Sequence, residues 1–97
     1  MTKDFSGQQS YGLTSQLRRA VVAIPTNLAE GTSRSTKRDQ ANFTSIAYSS
    51  LMEALNLIIL SQELDYINKG NYDRLRSQAE KIANKLIALR KAQLKAT

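Results

Sequence analysis

The chain contains no cysteine, no histidine and no tryptophan. Without cysteine there is no disulfide framework and no thiolate metal site. Without histidine the commonest general acid–base group and the commonest transition-metal ligand are both missing. A zinc enzyme, a Ser-His-Asp hydrolase and a Cys-His protease are thereby excluded. One proline and four glycines in 97 residues are too few for a loop-rich or all-β chain. No long apolar run is present either. The richest stretch, residues 51–60, holds Glu53 and Asn56 and falls short of the ~18 residues a membrane span needs. The opening MTKDFSGQQS is polar and lacks the apolar core of a signal peptide. The expectation is one small all-α domain, cytoplasmic and off the membrane, with no cofactor or metal, that makes contacts rather than performing catalysis.

What is present is helical periodicity. Residues 1–10 read as a flexible arm and 11–97 as a single helical domain. From residue 11 to 30, Leu13, Leu17, Val21, Ile24 and Leu28 recur at steps of four, four, three and four, the stripe of an amphipathic helix. Pro25 has no N–H for the carbonyl of Val21. The stripe continues in phase beyond it, so the expectation is a kink within one helix. Gly31 supplies the stop, since glycine takes a left-handed cap conformation at low cost. Thr36 followed by Asp39 resembles a capping box, opening a second helix over 37–64. Phe43, Ile46, Ala47, Ala54, Leu57, Ile58 and Leu64 mark one side of it, with Leu51, Met52, Leu55, Ile59 and Leu60 on others. Apolar residues nearly all round predict contact from more than one side. Asn68-Lys69-Gly70 is a turn signal. A third helix over 71–94 carries Tyr72, Leu75, Ala79, Ile82, Leu86 and Leu89 at heptad spacing. Three helices with short loops predict an up-down antiparallel bundle.

The net charge of +6 is unevenly placed. Residues 71–97 carry +5 and residues 1–70 carry +1. Arg74, Lys81, Lys85, Arg90, Lys91 and Lys95 are the candidate nucleic-acid contacts, with Arg74, Lys81 and Lys85 along one flank of the third helix. The competing reading is a solvated helix face whose last-turn cations suit the helix dipole. No aromatic residue is interleaved with these cations, so contact would go through phosphates without sequence choice. Elsewhere, Glu53 sits in the most apolar part of the second helix and is proposed to pair with Arg18 or Arg19; the alternative is that it faces solvent. Asn27 and Glu30 fit satisfaction of helix-end groups. The four tyrosines, Tyr11, Tyr48, Tyr66 and Tyr72, fit amphipathic packing better than catalysis.

The segment YGLTSQLRRAVVAIPTNLAEG at residues 11–31 resembles the bacterial four-helix bundle family of 23S rRNA-intervening sequence proteins, also labelled S23 ribosomal proteins. That family is related to the accessory protein of diversity-generating retroelements. The motif residues are Tyr11, Gly12, Leu13, Arg19, Pro25, Asn27, Glu30 and Gly31. The resemblance continues through Thr36, Phe43, Ile46-Ala47, Ser50 and Glu53, and more loosely through Leu64, Tyr66-Ile67 and the last helix, covering about residues 2 to 94. It implies an antiparallel bundle that assembles as a homopentameric ring, without enzymatic activity. A ring would repeat the basic flank into one large positive surface. The retroelement branch implies a reverse transcriptase and nucleic acid as partners.

Three departures stand out. Gln40 replaces a usual aromatic, and Leu55 replaces a frequent carboxylate. Family members also carry a full helix before the motif, where this sequence has only MTKDFSGQQS. A late start assignment, a truncated copy or a neighbouring chain that closes the gap would each account for it. The function expected is a non-enzymatic, oligomeric helical protein that binds RNA or DNA through its last helix. The alternative is a protein–protein adaptor, for example a reverse-transcriptase accessory protein, docking through the apolar faces of residues 51–60.

Overall fold

The computed structural model describes residues 7–96, with side chains from residue 12 onward. It holds three α-helices in the order α1 (Gly7–Thr32), α2 (Lys37–Glu63) and α3 (Lys69–Lys95). The described residues contain no strand. The all-α class and the three helices follow the periodicity of the sequence. α1 also takes in residues 7–10, which the sequence placed in an N-terminal arm; residues 1–6 of that arm lie outside the described residues.

The helix ends have identifiable causes. Thr36 is the N-cap of α2, and its hydroxyl accepts the Asp39 N–H at 3.1 Å. Asn68 caps α3 in the same way, accepting the Asn71 N–H at 2.8 Å. α2 closes when Asp65 turns to φ 67°, the left-handed region. The Asp65 N–H then bonds the Gln62 carbonyl at 3.0 Å and the Tyr66 N–H bonds the Ser61 carbonyl at 2.8 Å, the paired bonds of a Schellman ending. Pro25 lies inside an unbroken α1. Just after it, Thr26 Oγ1 donates to the Val22 carbonyl at 2.8 Å and Asn27 Nδ2 to the Ala23 carbonyl at 2.7 Å, so side chains bind carbonyls in the turn the proline loosens.

α2 is the middle helix. It packs against α1 on one side and α3 on the other, while the backbones of α1 and α3 make no close approach to each other among the described residues. Its buried positions are Ala41, Thr44, Ala47, Leu51, Ala54, Ile58 and Ser61. From Thr44 onward they recur at three, four, three, four and three, a heptad seam of mostly small residues. The core joins Ala47 and Leu51 to Ile24 of α1 and to Ala79 and Leu86 of α3. The all-round apolarity of residues 51–60 thus reflects two neighbours, as expected. As a whole, α2 is long and apolar enough to cross a membrane by length and composition, a criterion that a core helix between two others also meets.

Gly31 does not end α1. The helix runs on to Thr32, and no glycine among the described residues has positive φ. Gly31 is buried, and a Cβ there would meet Phe43 Cβ at 3.0 Å and the Gln40 carbonyl at 3.5 Å. Its small size lets α1 approach the start of α2.

The three helices do not close on themselves. Cα extents are 53 × 23 × 13 Å and the radius of gyration is 15.8 Å, against about 12.5 Å for a compact chain of this length. The accessible surface is 6622 Å², against about 5,500 Å² for a compact monomer of this mass. The expected α3 seam is half spent: Ala79 and Leu86 are buried, but Ile82 is 41% and Leu89 40% exposed. On α1, Val21 of the expected stripe is 49% exposed. At ~100° per residue these three side chains turn to the same face of the layer, into the gap between α1 and α3. A heptad seam needs neighbours on two sides, and α3 has only α2.

Two glycines should respond oppositely to alanine. Gly12, mid-helix with open space around its Cβ position, should gain about 0.5–1 kcal/mol as Gly12→Ala. Gly31→Ala should lose about 1–3 kcal/mol because Phe43 is anchored through its own backbone. Urea unfolding of the two variants checks the sign of each.

Candidate nucleic-acid interface

The six cations singled out on α3 divide by direction. Arg74, Lys81 and Lys85 fall within an arc of about 40° on the side of α3 away from α2, and Lys95 extends it to about 80°. All four are exposed. Over 21 residues the ridge runs about 32 Å. Arg74 bonds Asn71 Oδ1. Lys81, Lys85 and Lys95 have no hydrogen bond or ion pair among the described residues.

The acids of α3 are occupied elsewhere. Asp73 pairs with Lys69 at 3.2 Å and Glu80 with Arg76 at 3.4 Å. Arg76 also donates to Tyr72 Oη at 2.7 Å, which places its guanidinium carbon 6.0 Å from the ring centroid. The Tyr72 hydrogen bond, with Glu80 behind it, raises the Arg76 pKa further above its ordinary value. Arg76 is thus engaged with its own helix, while the ridge keeps its charge free.

Arg90 and Lys91 belong to a different place. Arg90 lies on the α2 side of α3, and its Nε donates to Ser45 Oγ at 2.6 Å. One turn further on, Thr44 Oγ1 lies 2.8 Å from Gln93 Oε1 and 3.1 Å from the Gln40 carbonyl, sharing one proton between two acceptors. Thr44 is only 2% exposed. The last turns of α3 are therefore fastened to α2 by polar contacts, while the middle is fastened by Ala79 and Leu86. The sequence grouped Arg90 with the free cations; its angular position beside Ala79 and Leu86 is the signal that separates it.

The pairing of Glu53 with Arg18 or Arg19 is corrected. All three side chains are exposed, and no ion pair joins them among the described residues. Glu53 stands about 160° from Leu51 on α2, opposite the seam, and the two arginines point well away from Ile24 and so from α2. The apolar surface of residues 51–60 is also mostly used internally, since Leu51, Ala54 and Ile58 are buried; Leu60 remains exposed.

Of the 11–31 motif, Gly31 serves the α1–α2 contact and Glu30 the end of α1. The Tyr11 side chain lies outside the described residues. Gly12, Arg19 and Pro25 are exposed, while Leu13 and Asn27 are half-buried. Glu30 pairs with Arg34 at 2.9 Å, and its carbonyl accepts the Ser33 hydroxyl at 2.7 Å. Arg34 in turn stacks on Phe43 at 4.7 Å. No cluster of acidic residues among those described could hold a metal ion.

The family model described as 23S rRNA-intervening sequence protein matches residues 1–88. No curated protein matches the chain.

Replacing Thr44 by valine keeps its shape and removes the buried hydroxyl. Thr44→Val should cost about 1 kcal/mol, read as a lower urea midpoint with an unchanged slope.

Proposed function

The chain belongs to the 23S rRNA-intervening sequence protein family, and we propose that it is a non-enzymatic, oligomeric helical protein that holds RNA or DNA by its phosphates along α3. The observation that carries this reading is the ridge of Arg74, Lys81, Lys85 and Lys95, exposed along about 32 Å with three of its four cations unpaired among the described residues. A helix face whose charges answer one another needs no partner. Here Lys69 and Arg76 are answered by Asp73 and Glu80, and the ridge is not.

Oligomerisation is supported by the open shape. Val21, Ile82 and Leu89 stand exposed where a further helix would cover them. A homopentameric ring, as the family resemblance implies, would bring five ridges together. The absence of thiol and imidazole groups fits a protein without catalysis, and a cytoplasmic location fits an RNA or DNA partner. A protein–protein adaptor, such as a reverse-transcriptase accessory protein, is the second reading. The same three exposed side chains favour it, since a partner's helix could cover them as well as another copy could.

Salt dependence tests the nucleic-acid reading. Binding of a fluorescent single-stranded oligonucleotide should weaken with a log–log slope of roughly −3 if four cations engage phosphates. Lys81→Gln with Lys85→Gln should reduce that slope by about 1.4. Absence of binding at low salt, or a slope near zero, contradicts the proposal.

A further inference from the structure

On the face of the layer opposite Val21, Ile82 and Leu89, α2 and α3 leave a cleft of about 340 Å³. Arg90 and Lys91 stand on the α3 side of it with Ile87, and Ser45, Tyr48 and Ser49 on the α2 side. Two cations, four hydroxyls (Thr44, Ser45, Tyr48 and Ser49) and an aromatic ring share one recess, and no acidic side chain lines it. The volume lies at the low end of small-ligand clefts. That suits one aromatic heterocycle better than an extended ligand.

The arrangement is organised. Tyr48 is half-buried and packs on the core beside Leu86, which holds its ring in place. Arg90 is fixed through Nε to Ser45 Oγ at 2.6 Å. Its terminal nitrogens have no partner among the described residues, and a guanidinium so held offers a planar fork to a phosphate. Lys91 adds a second cation beside it. Ile87 is exposed and offers an apolar wall. The sequence alone separates Tyr48 from Arg90 by 42 positions; the antiparallel packing of α2 on α3 brings aromatic and cation together.

We infer that this cleft takes one nucleotide of a single strand, its base against Tyr48 and Ile87 and its phosphate on Arg90 and Lys91. The inference rests on the nucleic-acid reading above and adds to it a stacking site away from the ridge. A ridge of cations alone treats duplex and single strand through charge. A ring in a recess favours bases that are already unpaired.

The test is anisotropy of the full chain with a fluorescent 12-nucleotide uridine strand, its duplex, and free uridine monophosphate as competitor. Tyr48→Leu should weaken single-strand binding about 5- to 150-fold, the range of one stacked base, with the salt slope unchanged. Arg90→Gln should reduce the slope by about 0.7. Ile87→Glu alters an exposed position and keeps the test independent of core packing. It should weaken binding at least about tenfold, and more than Asn84→Glu, which makes the same charge change outside the cleft. Uridine monophosphate binding as tightly as the strand would keep the site and assign it to a free nucleotide. Unchanged binding in the Tyr48, Arg90 and Ile87 variants overturns the inference. If the Lys81 and Lys85 variants still lose affinity, the phosphate reading stands without it. No binding by the unaltered chain at low salt removes both.

Discussion

α2 makes both helix–helix contacts among the described residues, and everything else in the structure follows from that position. It must present one face to α1 and another to α3, and it does so with a seam of small side chains. Ala47, Ala54 and Ser61 alternate with Thr44, Leu51 and Ile58. Small residues allow close approach, and Gly31 continues the same device from α1. They also bury little area. Ile24, Leu51, Ile58 and Leu86 are the large apolar side chains in the core, worth about 1.5–3 kcal/mol each before conformational entropy is set against them. Val21, Val22, Ile46, Leu60, Ile82, Ile87, Leu89 and Leu94 remain exposed. These eight side chains hold apolar surface that the chain could still bury outside its own core.

The two faces of the layer differ in chemistry. One carries Val21, Ile82 and Leu89 at the gap between α1 and α3, bordered by the Lys85 side of the basic ridge. The other carries the cleft in which Arg90 and Lys91 meet Ser45, Tyr48 and Ser49. Assembly on the first face and nucleic-acid contact on α3 are compatible, since the ridge points outward and the cleft opens opposite. The polar fastening of the last turns of α3, through Thr44–Gln93 and Ser45–Arg90, keeps the cleft in shape where apolar packing has thinned.

Much of the fold was legible in the sequence, because helical periodicity, the Thr36 cap and the all-round apolarity of residues 51–60 are local signals. The sequence misleads where one residue type serves two purposes. Glycine ends helices and also lets them approach; nothing local to Gly31 says that Phe43 lies across from it. The heptads of α3 state which residues want burial but not whether a neighbour is there to bury them, so Ile82 and Leu89 carry a core pattern and yet stand exposed. The apolar neighbours of Glu53 in sequence leave pairing and solvent exposure both open, and its direction on α2 decides for solvent. The site was less legible than the fold. The ridge could be found by charge and angle, whereas the meeting of Tyr48 with Arg90 depends on the register between two helices.

An open layer with this much exposed apolar surface is expected to complete itself by association. Solution mass, by sedimentation equilibrium or light scattering across a concentration series, tests it most directly. The expected result is a discrete multiple of 10.8 kDa that persists on dilution. A folded, monodisperse species at the single-chain mass, with the helical signal retained, would contradict it.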